Sequence, residues 1–173
     1  MNFLNQFSIQ FAGLALGCYN YNFKVDDSFF DKFAESQVKQ GLIDVDIEFE
    51  KKSKMLILNF EIKGTVKLMC DRCLDDFDIN IQSNERIIVK FGKNEIEETD
   101  DIITISEKEH EINVSHYIYE FIHLALPVKR VHSEDNNGIS LCNADIIAKL
   151  KEHEVIKHVD IDPRWAILNK IKN

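Results

Sequence analysis

Ile43-Asp44-Val45-Asp46-Ile47-Glu48-Phe49-Glu50 alternates apolar and acidic residues without a break. Successive side chains of an extended strand point to opposite faces, so this stretch buries one face and hydrates the other. The pattern spreads outward from it. Met55-Leu56-Ile57-Leu58-Asn59-Phe60-Glu61-Ile62 is longer and more apolar, and residues 64–69 continue it. Phe77-Asp78-Ile79-Asn80-Ile81 and Arg86-Ile87-Ile88-Val89-Lys90-Phe91 alternate again, and Ile102-Ile103-Thr104-Ile105 adds a short strand. Upstream, residues 7–13 and 18–25 read as strands, the second through Tyr19-Asn20-Tyr21-Asn22-Phe23-Lys24-Val25. Strands in such succession predict an antiparallel meander that curls, or partly closes into a barrel, over one apolar face.

Helices flank this run. Asp26, Asp27 and Ser28 can cap a helix whose apolar face carries Phe29, Phe30, Phe33 and Ala34 and which ends near Gly41. Asn113 or Ser115 can cap a second over residues 114–126, apolar on most faces and ended by Pro127. Beyond a polar loop, residues 144–150 and 163–171 read as short helices, the latter with Asp162 as N-cap and Pro163 at its first position. The predicted class is α+β: a curved antiparallel sheet with an N-terminal helix and a helical C-terminal third. A single domain is expected, with a strand-rich core over 1–126 and, over 127–173, a loop and short helices packed on the same core. Residues 95–101 hold five acidic side chains and read as a solvated loop.

At 173 residues, 45% hydrophobic with 12 Phe but only 2 Pro and 6 Gly, the chain can bury a real core and is not a linker or repeat. Its start, Met1-Asn2-Phe3-Leu4-Asn5-Gln6, lacks the basic and apolar regions of a secretory signal. No apolar run approaches the roughly 20 residues that span a bilayer. Four cysteines are too few and too unevenly placed for a disulfide framework, which fits a reducing cytoplasm. The net charge of −9 argues against broad phosphate contact. Residues 1–126 carry 13 Lys+Arg against 23 Asp+Glu, whereas 127–173 carry 8 against 7, with His132, His153 and His158 besides. Any direct contact with nucleic acid is thus expected in the C-terminal third. The acidic remainder suits a basic protein partner, or simply solubility.

Cys70-Asp71-Arg72-Cys73-Leu74 falls in the turn between the third and fourth long strand segments, 64–69 and 77–81. Cys-x-x-Cys is the spacing at which two thiolates reach one metal from a tight turn. A tetrahedral zinc site needs two more ligands, and His132 and Cys142 on the loop after Pro127 can supply them, closing a Cys3His structural site that pins the loop. Two other readings stay open here: cysteines that simply pack as small hydrophobes, and a thiol-redox pair. Redox chemistry is the poorer fit, because no thioredoxin-like helix follows Cys73 and Asp71, Asp75, Asp76 and Asp78 are expected to raise a thiol pKa. Cys18, on an early strand, is expected in the core.

Asp162-Pro163-Arg164-Trp165-Ala166-Ile167-Leu168 joins a rigid helix start to an arginine and the only tryptophan. Trp165, Leu168 and Ile171 share a helical face and can dock on the core, while Arg164, Trp165, Lys170 and Lys172 suit contact with RNA or a partner protein. His116 and His123, seven apart in the 114–126 helix, read as core or rim residues. No phosphate loop, His-Glu-x-x-His helix or Gly-x-Ser-x-Gly elbow is present.

Four features in order carry a resemblance: a strand leading into Cys70-Asp71-Arg72-Cys73-Leu74; a strand ending Val89-Lys90-Phe91; Leu124-Ala125-Leu126-Pro127-Val128 followed by His132 and Cys142; and Asp162-Pro163-Arg164-Trp165. Together they resemble the YceD family, the large ribosomal RNA subunit accumulation proteins. Many relatives carry several cysteines after the Leu-Pro step, where this chain has His132 and one cysteine. The resemblance implies a non-catalytic cytoplasmic factor in large-subunit ribosomal RNA processing and ribosome assembly. Its expected partner is a basic ribosomal protein, ribosomal RNA or both, met through Asp71, Arg72, Arg164, Trp165, Lys170 and Lys172. No membrane or small-molecule substrate is implied. The alternative is an enzyme, either a thiol oxidoreductase using Cys70 and Cys73 or an RNA-processing hydrolase.

Overall fold

In a computed structural model, residues 3–92, 101–134 and 138–154 are described. The chain divides into two units, Met1–His132 and Ser133–Asn173.

The first unit holds the sheet. A 3₁₀ turn, Phe3–Phe7, leads into β1 (Ser8–Gln10) and β2 (Gly17–Val25). A single helical turn α1 (Asp27–Phe30) precedes three long strands, β3 (Gln40–Lys51), β4 (Met55–Met69) and β5 (Asp76–Phe91). Short strands β6 (Ile102–Ile105) and β7 (Glu111–Asn113) come before α2 (Ser115–Leu124). The order β2-β3-β4-β5-β6 forms one sheet, and β1 pairs with β7 in a second of two strands.

The alternation read from residues 43–50 sets the faces. Ile43, Val45, Ile47 and Phe49 are buried and Asp44, Asp46 and Glu48 are exposed. Phe121 of α2 meets Phe60 of β4 edge-on at 5.1 Å, and Phe7 bridges Phe23 of β2 and Phe29 of α1. Each fully buried Phe contributes about 1.5–3 kcal/mol relative to exposure, so this aromatic layer is a main source of stability for the inner face.

Several expectations are corrected. β5 and β6 are parallel, with Ile88 opposite Ile102. Alternation decides which face is buried, not the direction in which strands pair, so this was hidden in Ile102-Ile103-Thr104-Ile105. Residues 64–69 continue 55–62 in β4, as expected, but 77–81 and 86–91 merge into the single strand β5. The sheet is not a closed barrel, since β2 and β6 end it without pairing to each other. The N-terminal helix expected to reach Gly41 is only one turn. Phe29, Phe30 and Val38 are all buried, and a continued helix, rotating about 100° per residue, does not put all three on one side. Asp27 instead accepts the Gly41 amide at 2.8 Å, tying α1 to the start of β3. Cys18, expected in the core, is exposed; it shares the outer face of β2 with Asn20 and Asn22, while Tyr19, Tyr21 and Phe23 are half-buried toward the inner face.

The described part of the second unit holds a β-bridge between Glu134 and Ser140 and one helix, α3 (Ala144–Glu152), capped by the Asn143 side chain. Among the described residues there is therefore no helical C-terminal third. The helix expected over 163–171 lies outside them.

At Gly64, β3 and β4 leave no room for a side chain. A Cβ there would come within 2.6 Å of Ile43 Cα and closer still to the Leu42 carbonyl oxygen, both backbone atoms that cannot swing away. Gly64→Ala is expected to cost about 1–3 kcal/mol in urea unfolding as the strands are forced apart. Gly13→Ala, which meets nothing within 4 Å, is the control expected to leave the unfolding midpoint nearly unchanged.

Candidate metal centre

β4 and β5 are joined by a tight turn over residues 70–75. The Cys70 amide donates to the Asp75 carbonyl at 2.9 Å, and the Leu74 amide donates to the Cys70 carbonyl at 3.0 Å. Closing it places Leu74 at φ 64°, the left-handed region, which costs a non-glycine residue about 1–2 kcal/mol. The turn folds back on its own sulfur, with the Arg72 amide 3.4 Å from Cys70 Sγ. Cys70 and Cys73 are both buried.

Asp71 brings the next part of the chain to this turn. Its amide donates to the Arg130 carbonyl at 2.7 Å, and its carboxylate accepts the Arg130 amide at 2.8 Å. The Arg130 guanidinium reaches Gln37 Oε1 at 3.0 Å. Two residues further on, the His132 ring lies 4.5 Å from the Phe77 ring, and its Nδ1 is 3.4 Å from Cys73 Sγ. Cys142 is buried in the second unit, its amide donating to Ser140 Oγ just ahead of the α3 cap. In the first unit, the ligand atoms of Cys70, Cys73 and His132 all lie within 4.8 Å of one another.

These residues fit a metal. Zinc binds sulfur at about 2.3 Å and imidazole nitrogen at about 2.0–2.1 Å in a tetrahedron, which sets sulfur–nitrogen edges of roughly 3.5 Å and sulfur–sulfur edges of roughly 3.8 Å. The 3.4 Å between Cys73 and His132 matches the first. Two sulfurs and one nitrogen are three of the four donors of a structural zinc site. The cluster can bind a metal such as zinc.

Burial pushes the Cys70 thiol up, but amide donors from Cys73, Arg72 and His132, together with the His132 ring, outweigh it and bring the pKa from 9.0 down to about 6. The expected rise from nearby carboxylates is thus overturned. Asp71 spends its carboxylate on Arg130, and the amides aimed at the sulfur dominate. A thiolate at neutral pH suits metal ligation and also nucleophilic chemistry. Burial of Cys70 at 0% exposure favours the former.

Of the proposed contact residues, Asp71 and Arg72 are exposed on the turn, while Arg164, Trp165, Lys170 and Lys172 lie outside the described residues. His116 pairs with Glu120 at 3.1 Å on the exposed side of α2. His123 Nδ1 lies 2.8 Å from the Tyr119 carbonyl and Nε2 3.4 Å from Ser36 Oγ, a rim position. The Asp71–Arg130 clasp was not anticipated, because a contact across 59 residues leaves no periodic signal.

The family model described as large ribosomal RNA subunit accumulation protein YceD matches residues 58–172, from the middle of β4 through the cysteine turn almost to the last residue. The chain belongs to the YceD family. Membership implies a role in the accumulation of large-subunit ribosomal RNA. No curated protein and no solved structure matches the chain. Among the described residues, no helix is long and apolar enough to cross a membrane.

Asp71→Ala removes the acceptor that holds the Arg130 segment, and is expected to weaken zinc affinity by about 10–100-fold, as loss of a ligand-orienting partner does. Competition with a chromophoric chelator measures it, and unchanged affinity would remove Asp71 from this role. In chelator-treated protein, unfolded Cys70 keeps its proton up to pH 9.0 while folded Cys70 has lost it by about pH 6. The unfolded state therefore binds more protons across that window, so stability rises with pH through it and is lost as pH falls through 6. Urea midpoints at several pH values should show this rise, and Cys70→Ser should lack it.

Proposed function

We propose that this YceD-family chain is a non-catalytic assembly factor that supports large-subunit ribosomal RNA processing in the cytoplasm by binding. Cys70, Cys73, His132 and Cys142 hold a structural zinc ion. When bound, the metal cross-links the β4–β5 turn to the chain after Pro127. Asp71 orients the Arg130 segment, and the Cys70 amide donors keep a thiolate ready at neutral pH. Arg72 on the turn, with Arg164, Trp165, Lys170 and Lys172, forms the contact surface, and Asp71 acts through its clasp.

The observation that carries this reading is the family match across the cysteine turn, joined to two buried thiols gathered with the His132 ring. A thiol oxidoreductase must expose its attacking sulfur to a second protein or small thiol, and Cys70 is buried. The net charge of −9 leaves little room for affinity built on phosphate neutralisation alone. Contact therefore runs at least in part through a basic ribosomal protein.

Two measurements test this. Protein purified without a histidine tag is expected to carry one zinc per chain, lost in Cys73→Ser; clearly sub-stoichiometric metal would overturn the zinc site. Affinity capture from the native cytoplasm near physiological salt is expected to enrich large-subunit RNA and proteins over small-subunit ones. With nuclease added first, the protein component should persist. Absence of any ribosomal enrichment over an untagged control would overturn the assembly reading.

A further inference from the structure

β5 pairs with β4 from Asp76 to Lys90, but β6 covers its other edge only from Ile88 to Phe91. The direction of the groups on the uncovered part follows from one hydrogen bond. The Ile88 amide points away from β4 and donates to the Asp101 carbonyl at 2.8 Å. Backbone donors and acceptors of a strand face alternate sides from one residue to the next, and the β4–β5 register carries no bulge that would shift them. The amides and carbonyls of Asp76, Asp78, Asn80, Gln82, Asn84 and Arg86 therefore all aim at the open side. None of the described residues pairs with them.

An edge of this length templates another strand unless it is blunted, and charged side chains are one means of blunting. Here the charges are arranged so that the edge complements itself. Asp76 and Arg86 are both exposed at its two ends, and neither has an ion pair among the described residues. An antiparallel second strand joins amides to carbonyls only where both facing residues aim outward, so a second β5 must set even-numbered residues opposite one another. The register centred on Ile81 does this along the whole open edge. Arg86 then falls opposite the second copy's Asp76, Asn84 opposite its Asp78 and Gln82 opposite its Asn80, and each pair recurs across the two-fold axis. An Arg–Asp pair closes each end, and no like charges meet. Sliding by one step of the ladder drives Asp76 against β6 beside Ile88. Sliding the other way carries Arg86 past the end of the strand. The axis stands perpendicular to the sheet, so inner face continues inner face, and the buried Ile81 meets its own copy at the centre.

We propose that β5 of one chain adds to β5 of a second copy over Asp76–Arg86, forming a homodimer with one sheet running through both chains. This goes beyond the assembly reading, which involves a single chain, and it does not involve the metal.

Sedimentation velocity of the full-length chain tests it, run under reducing conditions so that exposed Cys18 cannot link copies. A monomer–dimer equilibrium that shifts with concentration is expected. Arg86→Asp sets aspartates opposite one another at both ends and should weaken dimerisation about tenfold or more. Adding Asp76→Arg reverses both members of the pair and should restore the affinity to within about threefold. Asn80→Pro removes an amide that faces the open edge and none from the β4 ladder, so it should abolish the dimer while circular dichroism retains the sheet. If that variant fails to fold, the charge reversal and its rescue, both at exposed positions, still decide. A monomer at every concentration would overturn the proposal, leaving the edge to a different partner. A dimer indifferent to Arg86→Asp, or one that Asp76→Arg does not rescue, would overturn it in favour of another surface. No ribosomal component enters the measurement, so it succeeds or fails independently of the capture experiment.

Discussion

The pair of hydrogen bonds between Asp71 and Arg130, one between backbones and one accepted by the Asp71 carboxylate, is the constraint on which the cysteine site depends. It joins the tip of a long hairpin to a segment 59 residues away, bringing His132 against Phe77 and Cys73. Without it the Cys-x-x-Cys turn would be two thiols at the end of a β-ribbon. The turn itself stores strain, since Leu74 adopts the left-handed conformation, and three amides, those of Cys73, Arg72 and His132, point at a buried sulfur. A bound cation repays both, because it requires the thiolate that those amides favour and fixes the turn that Leu74 must bend to close.

The sheet serves this arrangement by its length. β4 and β5 remain paired from Met55–Lys90 to Met69–Asp76, and β3 pairs with β4 as far as Lys67, so the cysteine turn stands at the end of a hairpin braced by the sheet. The inner face of the sheet is braced by Phe60 on Phe121 and by the cluster around Phe7. The outer face is left to charged and amide side chains. One protein thus offers a rigid cysteine-organised tip and a broad acidic sheet face, a division suited to a factor that works by contact.

The alternation of residues 43–50 and 86–91 made the strands and their buried face legible from sequence, because burial on one side imposes a period of two. What it could not carry was direction or extent. The parallel pairing of β6 and the merging of Phe77–Ile81 with Arg86–Phe91 into one strand depend on partners distant in the chain. Phe29 and Phe30 promised a longer helix than forms, since burying neighbours in sequence favours a turn. Cys18 followed the register of β2 outward, although its residue type favours the core. Cys70, Cys73 and His132 were legible as possible partners from residue chemistry alone, whereas the lowered Cys70 pKa was not. It arises from amides whose aim only the folded turn defines.

X-ray absorption at the zinc edge of the full-length protein tests the central claim most directly. A zinc ion held by Cys70, Cys73, His132 and Cys142 predicts three sulfur neighbours at about 2.3 Å and one nitrogen at about 2.0–2.1 Å. A shell made only of nitrogen and oxygen, or one sulfur fewer with a water in its place, would contradict the closed site described here.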